Sequence, residues 1–494
     1  MVKLDSIAEK VVPQKFLDKY RSFPVTLRAA FWFTVCNFVL KGISFICMPI
    51  YARFLSEEEY GTMSLITSYE LIFTIFATFE LYLGAFQRGL LKYKDDVKNF
   101  EQTIVFISNV LTVICFFIFM LLRGPLSGFT GVTLALYSLF SLYFIFYTPY
   151  HCWLNRKRFE YDYKAAVTVT ILMALVSNLA PIITIKLFGA TAYIKVISTL
   201  AIQIVFCLPF WIKHVNFSHI FKNTQRFFNY VKYAIRFQGP LVFHSLSYYV
   251  LNQSDRVMID KFSSKADVAF YSVAYSFASV IIIFQNSLNQ VLKPWRFQKL
   301  DKKGYKDVRD ISNVLVILVG GVIVMFMLLL PEVFLIFPES YHQALKVAPP
   351  VTIGVYFLFL YTLFVDVESY YGKTEYIAYV STFCALLNIG LNYVGIKMFG
   401  YVACAYTTLI CYALMSFLHY VFMLITCKKA HVEESPVDSK TIWGFSLIML
   451  AIFGVANAFY DSILVRYIIV ACIVAAVIVF RKKLMSSWKM IRSK

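Results

Sequence analysis

Long apolar stretches separated by short polar breaks run the length of this chain, without the period-two alternation of membrane barrel strands. With about 20 residues needed to cross a bilayer core, fourteen stretches qualify, at residues 27–50, 61–86, 102–122, 130–152, 165–186, 190–212, 237–260, 268–292, 311–331, 347–371, 376–396, 401–427, 441–459 and 463–480. Each is about twice the length of a barrel strand. The pattern therefore predicts an all-α polytopic membrane protein with about fourteen transmembrane helices. The outer connections at 53–60, 123–130, 261–267, 338–346 and 460–462, with the Phe-Gly turns at Gly189 and Gly400, are too short to hold a soluble domain.

The stretches are organised as a repeat. IKLFGATA at 185–192 and IKMFGYVA at 396–403 share five of eight positions. At nearly the same offset, residues 53–65 overlay 261–273, matching Phe54 with Phe262, Ser56 with Ser264 and Ser64 with Ser272. Six helices return the chain to its starting side, so the two copies share one orientation, with the pseudo-twofold along the membrane normal. Repeats of this kind mark secondary transporters, in which two bundles rock about a site at their interface. The expected organisation is a six-helix lobe at 1–214, a linker at 215–236, a second six-helix lobe at 237–427, and two additional helices with a basic cytoplasmic tail at 428–494. In the linker, Phe217, Ile220, Phe221, Phe227, Phe228 and Val231 recur at helical spacing beside Lys222, Arg226 and Lys232, the pattern of a helix lying on a membrane surface.

Composition agrees with that class. Charged residues make up 15% of the chain, against about 25% in soluble domains. The net charge of +19 would suit nucleic acid, but its distribution points elsewhere. With the N-terminus in the cytoplasm, roughly 36 of the 47 Lys and Arg fall on the cytoplasmic side, in clusters such as Arg156-Lys157-Arg158, residues 293–309, Lys428-Lys429 and Arg481-Lys482-Lys483. Both termini are expected inside and no nucleic-acid partner is expected. Residues 1–24 are charged and amphipathic without a cleavage-like motif, so no removable signal peptide is expected and the first span is the insertion signal. The ten Cys lie in or beside apolar spans with no Cys-x-x-Cys pair, which predicts free thiols and no metal site. The chain has no Walker A pattern, and its loops have neither Asp-x-Asp nor the size to hold a sugar donor. These absences argue against direct use of ATP and against a membrane glycosyltransferase or polymerase; an enzyme is not expected.

Several motifs carry a resemblance. Leu40-Lys41-Gly42 with Pro49, Ala52-Arg53-Phe54-Leu55-Ser56 and Glu59-Tyr60-Gly61 open the chain; Asp255-Arg256 with Ile259, Gly372-Lys373-Thr374, and Asn388 and Asn392 followed by Gly400 and Ala403 lie in the second half. Over about residues 25–427 the chain resembles the bacterial polysaccharide flippases that export O-antigen and capsule repeat units, within the multidrug/oligosaccharidyl-lipid/polysaccharide exporter superfamily. Tyr401-Val402 departs from the second Gly often found there. The resemblance implies a multi-pass protein of the bacterial cytoplasmic membrane. It would carry an undecaprenyl-diphosphate-linked oligosaccharide from the cytoplasmic to the outer leaflet, for surface polysaccharide, O-antigen or capsule biosynthesis. It further implies alternating access, contact with membrane lipids, and work beside a polysaccharide polymerase and chain-length regulator. A multidrug exporter or a lipid II flippase of the same superfamily remains the alternative.

An ionisable side chain at the bilayer centre costs about 3 kcal/mol on insertion scales, so those within spans are the candidate site. Lys41 and Glu70 lie at similar depth, where Lys41 either faces a cavity that admits a diphosphate or pairs with Glu70. Lys195, Arg256 and Arg88 extend a candidate cationic cavity; the competing readings are snorkelling for Lys195 and Arg88, and pairing with Asp255 or Asp260 for Arg256. Glu70, Glu80 and Asp366 are candidates for binding a coupling proton or sodium ion, with no other cofactor expected. Glu368 lies beside Asp366 as a further carboxylate that could bind the coupling ion, with a solvated helix end as the favoured reading, and His151, His244 and His419 read as isolated packed or interfacial side chains. Tyr248, Tyr249, Tyr356 and Tyr361 suit either sugar stacking or helix packing.

Overall fold

The computed structural model describes residues 24–217, 223–458 and 460–475, and every regular element among them is a helix. Over the described residues, each of the fourteen apolar stretches is helical for most of its length. In chain order the helices are α1 (Val25–Phe54), α2 (Glu57–Thr78), α3 (Gly84–Lys92), α4 (Val97–Leu121), α5 (Arg123–Thr130), α6 (Leu134–Phe159), α7 (Tyr163–Phe188), α8 (Ala192–His214) and α9 (Thr224–Phe262). They continue as α10 (Lys265–Asp301), α11 (Tyr305–Leu328), α12 (Leu330–Phe334), α13 (Ala348–Tyr370), α14 (Thr374–Phe399), α15 (Ala403–Lys429), α16 (Ser439–Ala458) and α17 (Ile463–Ala475). Ten are long and apolar enough to cross a membrane, and α5 with α6 make an eleventh if that bent pair counts as one span. This is a multi-pass membrane fold.

Three departures from the apolar pattern have physical causes. The stretch 61–86 is two helices, because Phe79 and Glu80 take left-handed backbone angles, φ 50° and 46°. Such residues cost about 1–3 kcal/mol each and persist where surroundings fix them. Here Thr78 Oγ1 accepts the Glu80 N–H at 3.1 Å, Thr112 Oγ1 donates to the Ala77 carbonyl at 3.0 Å, and Gln238 Oε1 accepts the Ala85 N–H at 3.0 Å. Side chains replace the ladder bonds that the break removes, which a membrane interior requires. The expected connection 123–130 is a helix, α5, bent 91° to α6, with Gly131 supplying φ 71° at its end. Finally, α10 continues nine residues past the apolar stretch 268–292, so Lys293 and Arg296, expected in a cytoplasmic connection, are helical.

The chain forms two compact units, one of residues 1–47, 70–189 and 193–243, the other of 48–69, 190–192 and 244–494. The first has a core of Leu81, Tyr82, Phe86, Leu90, Phe100, Ile104 and Tyr230. In the segment 215–236, residues 218–222 lie outside the described residues, so Ile220, Phe221 and Lys222 are not placed. From Thr224 the chain runs straight into α9, with Phe217 and Phe227 edge-on to Phe106 at 5.3 and 5.6 Å. Tyr230 donates to Asp96 at 2.6 Å.

In the second unit α13 is buried on most of its surface. The motif at 53–61 ties this unit together. Arg53 Nη2 donates to the Ile336 carbonyl at 2.9 Å, Ser340 donates to Glu57 at 2.5 Å, Glu59 accepts the Ala192 N–H at 2.5 Å, and Tyr60 meets Tyr341 edge-on at 5.7 Å. Gly61 lies so close to α10 that a Cβ there would sit 1.8 Å from the Lys265 carbonyl oxygen. The two helices outside the repeat are also fastened to this unit. Tyr356 OH and Ser446 Oγ are 3.1 Å apart, Tyr460 donates to the Met327 carbonyl at 2.9 Å, and Arg466 donates to the Leu328 carbonyl and to Glu332, both at 2.7 Å. The ten cysteines are free.

Gly61→Ala is expected to lower the thermal unfolding midpoint of the detergent-solubilised protein, by the equivalent of about 1–3 kcal/mol for overpacking; an unchanged midpoint would show that α2 and α10 separate at no cost. The hydrogen bond from Arg466 holds the Glu332 carboxyl below the usual carboxylate range. Its stability is complete above the unfolded value and is lost as pH falls through the lower folded value. The midpoint difference between wild type and Arg466→Gln should accordingly be largest near neutral pH and shrink on acidification.

Candidate functional site

The intramembrane charges form separate groups in the two units. In the first unit Lys41 is exposed on α1. Glu70 is half-buried on α2, and the cation acting on it is Lys195 of α8, not Lys41. Lys195 also acts on Cys47 of α1. Arg88 is exposed on α3 with its guanidinium 5.7 Å from the Phe237 ring centre. Glu80 sits at the break between α2 and α3, 4% exposed, with Oε2 lacking a hydrogen-bond partner. His151 is boxed by Tyr82, Tyr147 and Tyr150 at 4.9, 3.9 and 5.0 Å, a packed histidine.

In the second unit, residues that carried the resemblance meet at one hub. Asp255 accepts from Tyr271, from Asn392 Nδ2 at 2.5 Å and from Thr408 at 3.2 Å. Asn392 in turn donates to Asn388 at 3.1 Å and accepts from Thr407. Four helices, α9, α10, α14 and α15, are thereby pinned through one carboxylate. Its neighbour Arg256 points elsewhere, donating to Ser272, to the Asn252 carbonyl and to Gln253, each at 3.0 Å, and lying 4.9 Å from the Tyr275 ring centre. Buried to 8% exposure, Arg256 is a cross-link between α9 and α10.

Two further pairs were not legible beforehand. Asp366 on α13, 2% exposed, is ion-paired with the buried Arg296 and lies 3.4 Å from Lys293 Nζ. Sequence reasoning missed Arg296 because it ended the span at 292; the spacing of Asn286, Asn289, Lys293 and Arg296 along a continuing helix was the available signal. Asn286, Asn289, Lys293 and Pro294 line a cavity of about 400 Å³. The second pair corrects two expectations. Glu368 is no solvated helix end and His419 is not isolated: both are 0% exposed, with His419 Nδ1 3.1 and 3.0 Å from the two carboxylate oxygens. A helix end is solvated only where nothing covers it, and α15 covers this one. Tyr361 lies edge-on to His419 at 4.9 Å, Tyr356 is buried, and Tyr248 is exposed. The side chain of His244 lies outside the described residues. Among the described residues no group of three or more His, Cys, Asp or Glu could hold a metal ion.

Comparison with known proteins places this architecture. The model of the polysaccharide biosynthesis protein family matches residues 26–300, more than half of the chain. The chain belongs to that family. As a polysaccharide biosynthesis family member it also matches the MatE family model over residues 240–394, and both belong to the multidrug/oligosaccharidyl-lipid/polysaccharide superfamily of transporters and flippases. An uncharacterized membrane protein of Haemophilus influenzae is 26% identical over 168 residues, 32% of this chain and 40% of that protein, so the match spans two-fifths of the relative's length. In fold the family member is similar to the lipid II flippase MurJ in its inward closed conformation, with a TM-score of 0.69 at 14% identity over 92% of this chain and 99% of that one. It is also similar to an inward-facing multidrug resistance MATE transporter of the MOP superfamily, TM-score 0.60 at 13% identity, over 83% and 99% of the two chains. At these identities the shared property is the fold.

Removing one partner of a buried ion pair costs about 3–5 kcal/mol, whereas replacing both by apolar groups is often neutral. Arg296→Met and Asp366→Leu should each lower the unfolding midpoint strongly, and the double variant should recover most of the loss. Additive losses would show that the pair carries no coupling.

Proposed function

We propose that this family member is a flippase that moves an undecaprenyl-diphosphate-linked oligosaccharide from the cytoplasmic to the outer leaflet of the bacterial inner membrane, for surface polysaccharide assembly. The observation that carries the reading is the polysaccharide biosynthesis family match across residues 26–300 in a chain whose fold is multi-pass. The mechanism is alternating access, with the charged headgroup taken into the protein while the polyprenyl tail stays in lipid. Lys41 and Lys195, with the exposed Arg88, are the cations proposed to replace headgroup hydration. A proton or sodium ion, bound at a carboxylate within the spans, supplies the bias between states through its differential affinity for them. Both termini are cytoplasmic in this reading, and a polymerase and chain-length regulator act on the delivered cargo.

A second reading, lipid II as cargo, is favoured by the similarity to MurJ over 92% of the chain. The MatE match over 240–394 favours a third, drug export.

Deleting the gene in its host separates them. The expected result is lipid-linked repeat units trapped on the cytoplasmic leaflet, with loss of surface polymer. Trapped lipid II with cell lysis would move the cargo to lipid II, and intact polymer with drug hypersensitivity would move the protein to the multidrug branch. In the deletion strain, Lys41→Ala should be made at normal abundance yet restore surface polymer poorly. Arg256→Ala should instead lower abundance, because it breaks the cross-link to Ser272 and Gln253.

A further inference from the structure

Five carboxylates are buried among the described residues: Glu80, Glu101, Asp255, Asp366 and Glu368. What faces each one separates them. Glu101 has Arg156 at 2.9 Å, and Asp366 has Arg296 and Lys293. Asp255 is saturated by Tyr271, Asn392 and Thr408 beside Arg256. Glu80 has one oxygen with no hydrogen-bond partner and no titratable side chain bonded to it. Glu368 alone of the five is bonded to a group that itself gains and loses a proton in the physiological range, the imidazole of His419.

We propose that the Glu368–His419 pair is the proton-binding site of the transport cycle, an inference that rests on the transporter reading above and names its coupling ion. With one dissociable proton the pair is net neutral, as imidazolium with carboxylate or as imidazole with carboxyl. Releasing that proton leaves imidazole and carboxylate with a net charge of −1. Neither side chain is exposed, so the charged form has no water to solvate it, and a lone charge inside a membrane protein is costly. Release therefore requires water to reach the pair, which ties proton occupancy to the opening of the helices that cover it. The ring's second nitrogen, Nε2, is buried with no hydrogen-bond partner, which leaves one position on the ring through which a proton can pass.

The surroundings do not supply a substitute counter-charge. On α13, Tyr361 stands edge-on to the imidazole. Asp366, also on α13, engages Arg296 and Lys293 of α10. On α15 Tyr420 donates to Ser439 of α16 and packs against Trp443. A sodium ion fits this pair poorly, since it prefers several oxygen ligands and the second group here is a ring nitrogen.

The test uses the purified full-length protein and the deletion strain. Infrared difference spectra between acid and alkaline buffer should contain, in wild type, the band of the loaded pair, either the carbonyl band of a carboxyl group or the ring band of imidazolium, together with the carboxylate band gained or shifted on release; Glu368→Gln should lack the carboxyl and carboxylate parts. In cells, Glu368→Gln should reach wild-type abundance in the membrane and fail to restore surface polymer, because the amide cannot ionise and leaves the buried pair at the net neutral charge of the loaded state throughout the cycle. Identical difference spectra for wild type and Glu368→Gln would overturn the proposal. So would full restoration of polymer by Glu368→Gln. If the deletion strain traps no lipid-linked cargo while the infrared band behaves as stated, the cargo reading fails and the proton site stands.

Discussion

A polar group that leaves water inside an apolar bundle has to find its partner within the protein, and this requirement organises the molecule. Asp255 gathers side chains from three neighbouring helices, Asp366 is ion-paired with Arg296, and Glu368 sits on His419. Apart from the bond from Tyr271 on the next helix, these contacts join helices that are not consecutive in the chain, so they fix which helices are neighbours as well as satisfying a charge. The same rule governs the backbone. Where α2 stops at Thr78, hydroxyl and amide side chains take over the hydrogen bonds that the helix would have made.

The buried carboxylates differ in what they can do because their partners differ. A carboxylate held by a guanidinium or by several neutral donors is stable as an anion and serves as a fastener. A carboxylate facing an imidazole has two ways to be neutral and one way to be charged, and the charged way needs water. All five are hidden from solvent, so what distinguishes them is the partner each one faces.

Fastening extends to elements that lie outside the repeat. Arg466 caps the end of α11 and holds Glu332, while Ser446 and Tyr356 are within hydrogen-bond distance, so α16 and α17 are integral to the second unit. The motif around Arg53 to Gly61, which carried part of the resemblance, spends its polar atoms on packing: its carboxylates and guanidinium reach backbone and side chains of the loops around Ile336 and Ala192. Those residue types are there for the fold.

The sequence by itself determined the helical class, the number and approximate limits of the apolar segments, and the family. Each of these is a sum over neighbouring residues, since hydropathy accumulates along about 20 positions and a motif is a local string. Nothing at Phe79-Glu80 signalled the break, where no Gly or Pro marks it and Thr112 and Gln238 supply the support from afar. The tertiary structure alone decided which charge meets which. Glu70 was matched by depth with Lys41 and interacts with Lys195; Asp366 and Arg296 are 70 residues apart, Glu368 and His419 51, Asp255 and Asn392 137. Pairing depends on helix rotation and on which helices adjoin, and both are settled by packing across the whole bundle, so no window of sequence contains them.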